Sequence, residues 1–311
     1  MEQLTKIFAG NNSEKFAKGL CKTFGCELGD VSIEKFSDGE LSVHFNESVR
    51  GHHLFLVQST NPNNDNLMEL LLMIDAAKRA SAAYVTAVIP YYGYARQDRK
   101  DKPRVAIGAK LVANLLTASG ADRIMTADLH AGQIQGFFDI PLDHLHASSV
   151  FVPYIESLKL DNLIFASPDV GGVKRTRSYA KYFGADLVVC DKHRERANQV
   201  ASMQLIGDVT GANVVLVDDL IDTGGTMSKA ADLLLEKGAL SVRAICTHPI
   251  LSGKAYENIE NSSLQELVVT NTIPLKKEST KIKALDIGPL FAHAITKLRT
   301  HESISSLFVI Q

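Results

Sequence analysis

The stretch VVLVDDLIDTGGT, residues 214–226, decides how the chain is read. Its first four residues, Val214, Val215, Leu216 and Val217, are apolar and mostly β-branched, as a buried strand requires. The strand is expected to stop at two carboxylates, Asp218 and Asp219. A glycine turn follows (Asp222, Thr223, Gly224, Gly225, Thr226), and then a helical segment, MSKAADLLLEKGA. Buried strand, acidic end, glycine loop and helix start, in that order, make an anion site. Glycine lets backbone N–H groups close around a phosphate, and the helix dipole favours its charge. The two carboxylates suit the hydroxyls of a sugar. An ordinary strand-to-helix turn would account for the glycines. It would not account for adjacent like charges, which are unfavourable without a partner.

The 311 residues suffice for two domains, each with its own core. With 45% hydrophobic and 22% charged residues the composition is that of a globular protein, and the net charge of −2 offers no general attraction to nucleic acid or membranes. Four cysteines (Cys21, Cys26, Cys190, Cys246) are too scattered for a disulfide framework or a zinc site and read as reduced thiols. The opening MEQLTKIFAG lacks the basic start and apolar core of a signal peptide, and no apolar run approaches the ~20 residues of a membrane span. A cytoplasmic protein with no nucleic-acid or membrane partner is expected.

Short apolar runs alternate with amphipathic segments along the chain, which predicts a parallel α/β fold. Strands are expected at 5–9, 54–58, 85–89, 123–127, 163–167, 187–190, 214–217, 242–246 and 267–270. Helices are expected at 13–23, 67–79, 107–117, 173–182, 226–237 and 289–298. Residues 31–49 break this rhythm. Their period-two alternation on either side of Asp38-Gly39 predicts a β-hairpin. Counting strand–helix units divides the chain into two similar domains, 1–147 and 148–311, and the apolar tail at 303–311 is expected to pack.

Polar residues follow one strand after another. Tyr-Tyr-Gly-Tyr-Ala-Arg96-Gln97-Asp98-Arg99-Lys100 comes after the strand at 85–89, and Asp128-Leu129-His130 after 123–127. Asp169 with Gly171-Gly172 comes after 163–167, and Asp191-Lys192-His193-Arg194 after 187–190. Ligands of open α/β sheets bind beyond the carboxyl ends of strands. One large polar cleft is expected, taking phosphates and hydroxyls. Each piece has a plainer reading: His130 as a histidine satisfied by Asp128, Asp169 as a helix cap, the charged runs as solvated loops. The Walker, Rossmann and nucleophile-elbow motifs are all absent, so any phosphoryl chemistry uses another cradle.

VVLVDDLIDTGGT resembles the phosphoribosyl pyrophosphate (PRPP) motif of the type I phosphoribosyltransferase fold. FSDGE (36–40), IPYYGYARQDRK (89–100), TADLHAGQIQGFFDIPLDHL (126–145), SPDVGGVKR (167–175), DKHRERAN (191–198) and LVVTNTIP (267–274) narrow the likeness. Essentially end to end, the chain resembles the PRPP synthetase family, the ribose-phosphate diphosphokinases.

The resemblance implies two phosphoribosyltransferase-like domains, each with a mostly parallel sheet flanked by helices, plus a hairpin flap. It implies transfer of the diphosphoryl group of ATP to the 1-hydroxyl of ribose 5-phosphate, giving PRPP and AMP. By the same resemblance the sugar 5-phosphate falls to Asp222, Thr223, Gly224, Gly225 and Thr226, and the ribose hydroxyls to Asp218 and Asp219. ATP falls to Arg96 and Gln97, with Phe36, Asp38, Gly39 and Glu40 of a neighbouring subunit's hairpin. His130 and Asp169 match the positions that hold Mg²⁺. Lys192 and Arg194 match a mobile catalytic loop, Arg194 also touching ribose 5-phosphate. A homohexamer is implied, with a phosphate- and ADP-sensitive site between subunits at Ser48, Arg50, Ser81, Arg104, Ser303 and Ser305. Pro103 and Ser306 depart from the family pattern there, so regulation is the inherited property least supported. Two rival readings are a phosphoribosyltransferase, which would need neither the hairpin nor the RQDRK segment, and a silent regulatory subunit. Against the second, Lys192, Arg194, His130 and Asp169 are all retained.

Overall fold

Five parallel strands, three connecting helices and a hairpin account for most of the first half of the chain. The computed structural model describes residues 4–193 and 202–310. Strands β1 (Thr5–Ala9), β4 (His53–Val57), β5 (Tyr84–Ile89), β6 (Arg123–Ala127) and β7 (Leu142–Leu145) form a wholly parallel sheet in that order. Helices α1 (Glu14–Phe24), α2 (Asp65–Arg79) and α3 (Gly108–Ser119) connect them. Parallel strands covered on both faces need apolar residues throughout, and β4 is buried along its whole length. Alternation sends Leu54 and Leu56 toward Leu70, Met73, Ile74 and Leu116 of α2 and α3. The hairpin, β2 (Val31–Lys35) and β3 (Leu41–Phe45), pairs Lys35 with Leu41 across the loop 36–40, as its alternation predicts. Phe45 anchors it edge-on to Phe8, ring centroids 4.7 Å apart.

The second half begins with α4 (Ser148–Leu158) and holds β8 (Leu163–Ser167), α5 (Val173–Phe183), β9 (Asp186–His193), β10 (Ser202–Ile206), β11 (Asn213–Ile221), α6 (Gly225–Glu236), β12 (Ser241–Pro249), α7 (Ala255–Glu260), β13 (Leu267–Thr270) and β14 (Ile282–Leu285). Its sheet runs β10-β9-β8-β11-β12-β13-β14, parallel except for β10. The chain moves outward to one side after β8 and to the other after β11. The strand order therefore reverses between these two neighbours, which opens a crevice at their carboxyl ends.

The last helix, α8 (Gly288–Arg299), corrects the expected division of the chain. Compact unit 1 comprises Met1–His146 with Thr272–Pro274 and Gly288–Ser305; unit 2 comprises Ala147–Asn271, Leu275–Ile287 and Ser306–Gln311. α8 packs on α1, with Phe291 edge-on to Phe16 at 5.4 Å. It belongs to the first unit, against the expectation of an uninterrupted 148–311. The expected strand 214–217 is also too short: β11 continues through both aspartates to Ile221, because β12 offers partners as far as Pro249. β9 likewise runs on past Cys190. Strands β7, β10 and β14 and helices α4 and α7 were not expected. The strands are short and carry polar residues, α4 contains Pro153, and α7 has only six residues.

Candidate active site

In unit 2 the crevice between β8 and β11 is built by two loops. The chain leaves β11 through Asp222 and Thr223 and enters α6 at Gly224, whose φ of +75° is the left-handed conformation that glycine adopts without strain. A Cβ there would stand 3.4 Å from the Ala255 carbonyl and the Ile259 side chain. The loop is braced from outside. Asn258 Nδ2 donates to the Thr223 carbonyl at 2.8 Å, Ser252 N to the Asp222 carbonyl at 3.0 Å, and the Ser252 hydroxyl to the Asp222 carboxylate. Its own N–H groups, Gly225 and Thr226 among them, open the helix and so have no intrahelical acceptor. This is a preformed cradle for a tetrahedral anion.

The aspartate pair sits one step back along β11. Asp219 is 3% exposed, and Arg175 from the first turn of α5 binds its Oδ1 at 2.9 Å through Nη1, with Asp218 Oδ1 3.9 Å away. Asp218 Oδ1 also accepts the Asp219 N–H at 2.9 Å. Burial and the Asp219 charge push the Asp218 carboxyl well above the usual aspartate range, with Arg175 opposing. Asp218 is half-buried. Sequence reasoning missed Arg175. The signal was available: a cation in the first turn of a helix that starts at the same crevice, where two carboxylates need one.

Asp169 lies at the end of β8. Its Oδ1 accepts the Gly172 N–H at 2.9 Å, and the Ser167 hydroxyl donates to its carbonyl at 2.6 Å. The residue is exposed, so the helix-cap reading holds for one oxygen only. The backbone of Lys192 continues β9, paired with Met203 of β10. The Lys192 side chain and all of Arg194 lie outside the described residues.

Unit 1 presents a second polar hollow, of about 370 Å³, at the carboxyl ends of β5 and β6. Its polar lining is Arg96, Gln97, Arg99, Lys102 and His130 together with the carboxylates Asp98 and Asp101. Gly108 opens α3 against Gln97, where a Cβ would meet the amide oxygen at 2.7 Å. His130 is exposed. The carboxylate of Asp128, a residue with φ +33°, meets His146 Nδ1 at 3.2 Å. Asp128, His144 and His146 bring their ligand atoms within 4.8 Å of one another and could hold a metal ion. Two imidazoles and a carboxylate suit a transition metal better than Mg²⁺. His144 Nε2 accepts the Leu129 N–H at 2.9 Å.

The hairpin tip is held by Asp38 Oδ1 accepting the Glu40 N–H at 3.0 Å and by Gly39 at φ +98°, while Phe36 stands 53% exposed. Of the six residues matched to a regulatory site, the structure pairs some. Arg50 Nη1 donates to the Ser81 hydroxyl at 3.3 Å, and the hydroxyls of Ser303 and Ser305 hydrogen-bond each other. Ser48 accepts Lys6 through its carbonyl at 3.0 Å, and Arg104 is exposed at φ +62°.

Family models and similar known proteins agree on what the chain resembles. Residues 5–120 match the N-terminal domain of ribose phosphate pyrophosphokinase, and residues 193–309 match the phosphoribosyl synthetase-associated domain. The chain is 58% identical over 305 residues to a ribose-phosphate pyrophosphokinase of Wolinella succinogenes, covering 98% of this chain and 99% of that one. It is 55% identical over 303 residues to that of Porphyromonas gingivalis, covering 97% of each. A crystal structure of phosphoribosylpyrophosphate synthetase from Mycobacterium smegmatis superposes with a TM-score of 0.91 at 39% identity, covering 96% of this chain and all of that one. No helix of the described residues is long and apolar enough to cross a membrane. With end-to-end identity above half and both domain signatures in place, this chain belongs to the ribose-phosphate pyrophosphokinase family.

Proposed function

We infer that the chain makes PRPP by transferring the β,γ-diphosphoryl group of ATP to the 1-hydroxyl of ribose 5-phosphate, releasing AMP. The observation that carries this is the braced Gly224 cradle beside an aspartate pair clamped by Arg175, at the switch point of the second sheet. The cradle N–H groups of 222–226 take the 5-phosphate. Asp218 and Asp219 accept hydrogen bonds from the ribose hydroxyls, which fixes the sugar with its 1-hydroxyl directed away from the loop. Arg96 and Gln97 hold ATP, supported by the hollow they line.

The reaction forms a bond from the sugar O1 to the β-phosphorus and breaks the bond from that phosphorus to the oxygen retained by AMP. Such a displacement needs alignment and charge neutralisation more than covalent help. Lys192 and Arg194 supply the cations that meet negative charge gathering on the transferred group.

Mg²⁺ takes oxygen ligands and keeps several waters, so a sparse protein contribution fits it. Asp169 is exposed and gives one oxygen to Gly172, and His130 is exposed on the Arg96 hollow. By the family pattern we assign His130 of the first unit and Asp169 of the second to Mg²⁺ binding. Such an ion would neutralise the phosphates and make the β-phosphorus more electrophilic.

We also propose a cytoplasmic homo-oligomer, a hexamer by family pattern, in which the exposed Phe36 and its neighbours Asp38, Gly39 and Glu40 contact ATP on an adjacent subunit. Ser48, Arg50, Ser81, Arg104, Ser303 and Ser305 would respond to phosphate or ADP at such a boundary. Incubation with ATP, Mg²⁺ and ribose 5-phosphate tests the activity: AMP and PRPP should appear in equal amounts. ADP in place of AMP would mean ordinary kinase chemistry and would refute the reading.

A further inference from the structure

The Arg96 hollow takes most of its lining from residues 90–107, a connection between β5 and α3 that is longer than most and holds only turns. Such a loop presents a fixed set of groups only if its backbone is tied down. Tyr91, Tyr92 and Gly93 at its start are buried, whereas Tyr94, Arg96 and Gln97 are exposed. We propose that Thr60, which follows β4 and is not part of the lining, is a positioning residue for nucleotide binding. Its hydroxyl sets the Gly93 peptide and, through it, the grip of Arg96 and Gln97. This rests on the reading that Arg96 and Gln97 hold ATP.

The loop after β4 prolongs the pairing of β4 with β5 beyond the ends of both strands. Gln58 N donates to the Val88 carbonyl at 2.9 Å and Thr60 N to the Tyr91 carbonyl at 3.0 Å. Hydroxyls supply the remaining rungs. Ser59 Oγ accepts the Tyr91 N–H at 3.1 Å and donates to the Thr272 carbonyl at 2.6 Å. Thr60 Oγ1 accepts the Gly93 N–H at 2.7 Å and donates to the Tyr91 carbonyl at 3.3 Å. Thr60 is 4% exposed, and a Cβ on Gly93 would stand 2.1 Å from the Thr60 carbonyl oxygen. The two backbones are therefore in contact, and the Gly93 N–H meets the Thr60 hydroxyl inside a buried seam.

The grip follows directly on this clamp. Tyr94, at φ +63°, accepts the Gln97 N–H through its carbonyl at 2.9 Å. The Gln97 carbonyl accepts the Ala109 N–H at 3.2 Å, and the Tyr92 hydroxyl donates to the Ala109 carbonyl at 2.8 Å. Residues 94–97 thus form a turn slung between Gly93 and the first turn of α3. With Ala109 pinned at one end, any movement at Gly93 is taken up by that turn. A buried amide deprived of its acceptor reorients toward another, because staying unpaired is costly. Turning the Gly93 peptide re-aims Arg96 and Gln97, and small misplacements of binding groups are enough to weaken their hold.

Thr60→Val keeps the shape of the side chain and removes the hydroxyl. In steady-state assays of the full-length protein, KM for ATP should rise about tenfold, the scale of stranding one buried donor, while KM for ribose 5-phosphate holds. Thr60→Ser keeps the acceptor and should restore KM for ATP to within about twofold of the native chain. Because Thr60 acts through the grip, the effect of Thr60→Val should shrink in an Arg96→Ala background. Equal rises in both KM values, or an ATP effect undiminished beside Arg96→Ala, would make Thr60 merely structural and overturn the proposal. If Arg96→Ala leaves KM for ATP unmoved, the ATP assignment fails and this proposal with it. If Arg96→Ala raises that KM and Thr60→Val does not, this proposal alone fails. A second measurement uses the unsubstituted protein and so does not depend on a variant folding. The Gly93 amide should exchange with deuterium far more slowly than the exposed amides of 99–102, and equally fast exchange would overturn the clamp.

Discussion

Arg175 Nη1 lies 2.9 Å from Asp219 Oδ1, and this contact makes two adjacent carboxylates tolerable at the end of a buried strand. Removing the cation strands Asp219 at 4% side-chain exposure. Arg175→Ala is expected to lower stability by about 3 kcal/mol, the lower end for a broken buried pair because Arg175 itself is partly solvated. Urea denaturation measures the loss, and Arg175→Ala combined with Asp219→Asn should recover much of it. A loss equal in the single and double variants would show that packing, not charge, is at stake.

Asp218 gives the stability of the unliganded protein a particular pH dependence. Its folded pKa is raised above the ordinary 3.8, so folding favours the protonated form. That contribution is fully present below 3.8 and is lost as pH rises through the folded value. Asp218→Asn should therefore gain on the native chain as pH rises above 3.8. Melting temperatures of both proteins across pH check it; parallel curves would contradict the assignment.

Gly224→Ala tests the cradle. The left-handed φ of +75° disfavours any Cβ by about 1–2 kcal/mol. The helix start is expected to shift and its N–H groups with it. KM for ribose 5-phosphate should rise while KM for ATP holds. Equal changes in both would point to a general loss of structure.

Lys192→Ala should leave both KM values nearly unchanged and lower kcat by about 10²–10³, the usual effect of removing one transition-state charge partner. Steady-state kinetics decide this, and a kcat close to that of the native chain would remove Lys192 from the chemistry.

Phe291 is fully buried and edge-on to Phe16, so Phe291→Ala should cost about 3–5 kcal/mol. The loss should appear as faster amide exchange in β1, β4 and α1, although residue 291 is remote from them in sequence.

Most of the candidate site was legible because its residues are local in sequence. The run 214–226 holds strand, carboxylates, glycines and helix start within a single turn of chain, and its chemistry can be read without knowing what it faces. Arg175 was not legible in that way. Its partner is 44 residues off, and only the adjacency of β8 and β11 brings them together. The same limit applies to Asp128, which the fold sets beside His146, the residue just past the neighbouring strand β7. Strand ends were misjudged where pairing, not propensity, set them. Asp218 and Asp219 are poor strand formers, yet β11 carries them because Cys246 and its successors on β12 supply a ladder. The hairpin and the long amphipathic helices were legible, since period two and period 3.6 are properties of the segment alone.

The return of α8 to α1 sets an order of events during synthesis. Residues 1–146 leave the ribosome long before 288–305, so the face of β1 and α1 that receives Phe291 stays bare while the second unit is being made. The second unit has all its strands by residue 285 and can close its sheet first. The amino-terminal unit then finishes last although it is made first, and until it does, Phe16 and its neighbours offer an adhesive apolar surface. A chain released before residue 288 would thus lose not a tail but the cover of its opening domain.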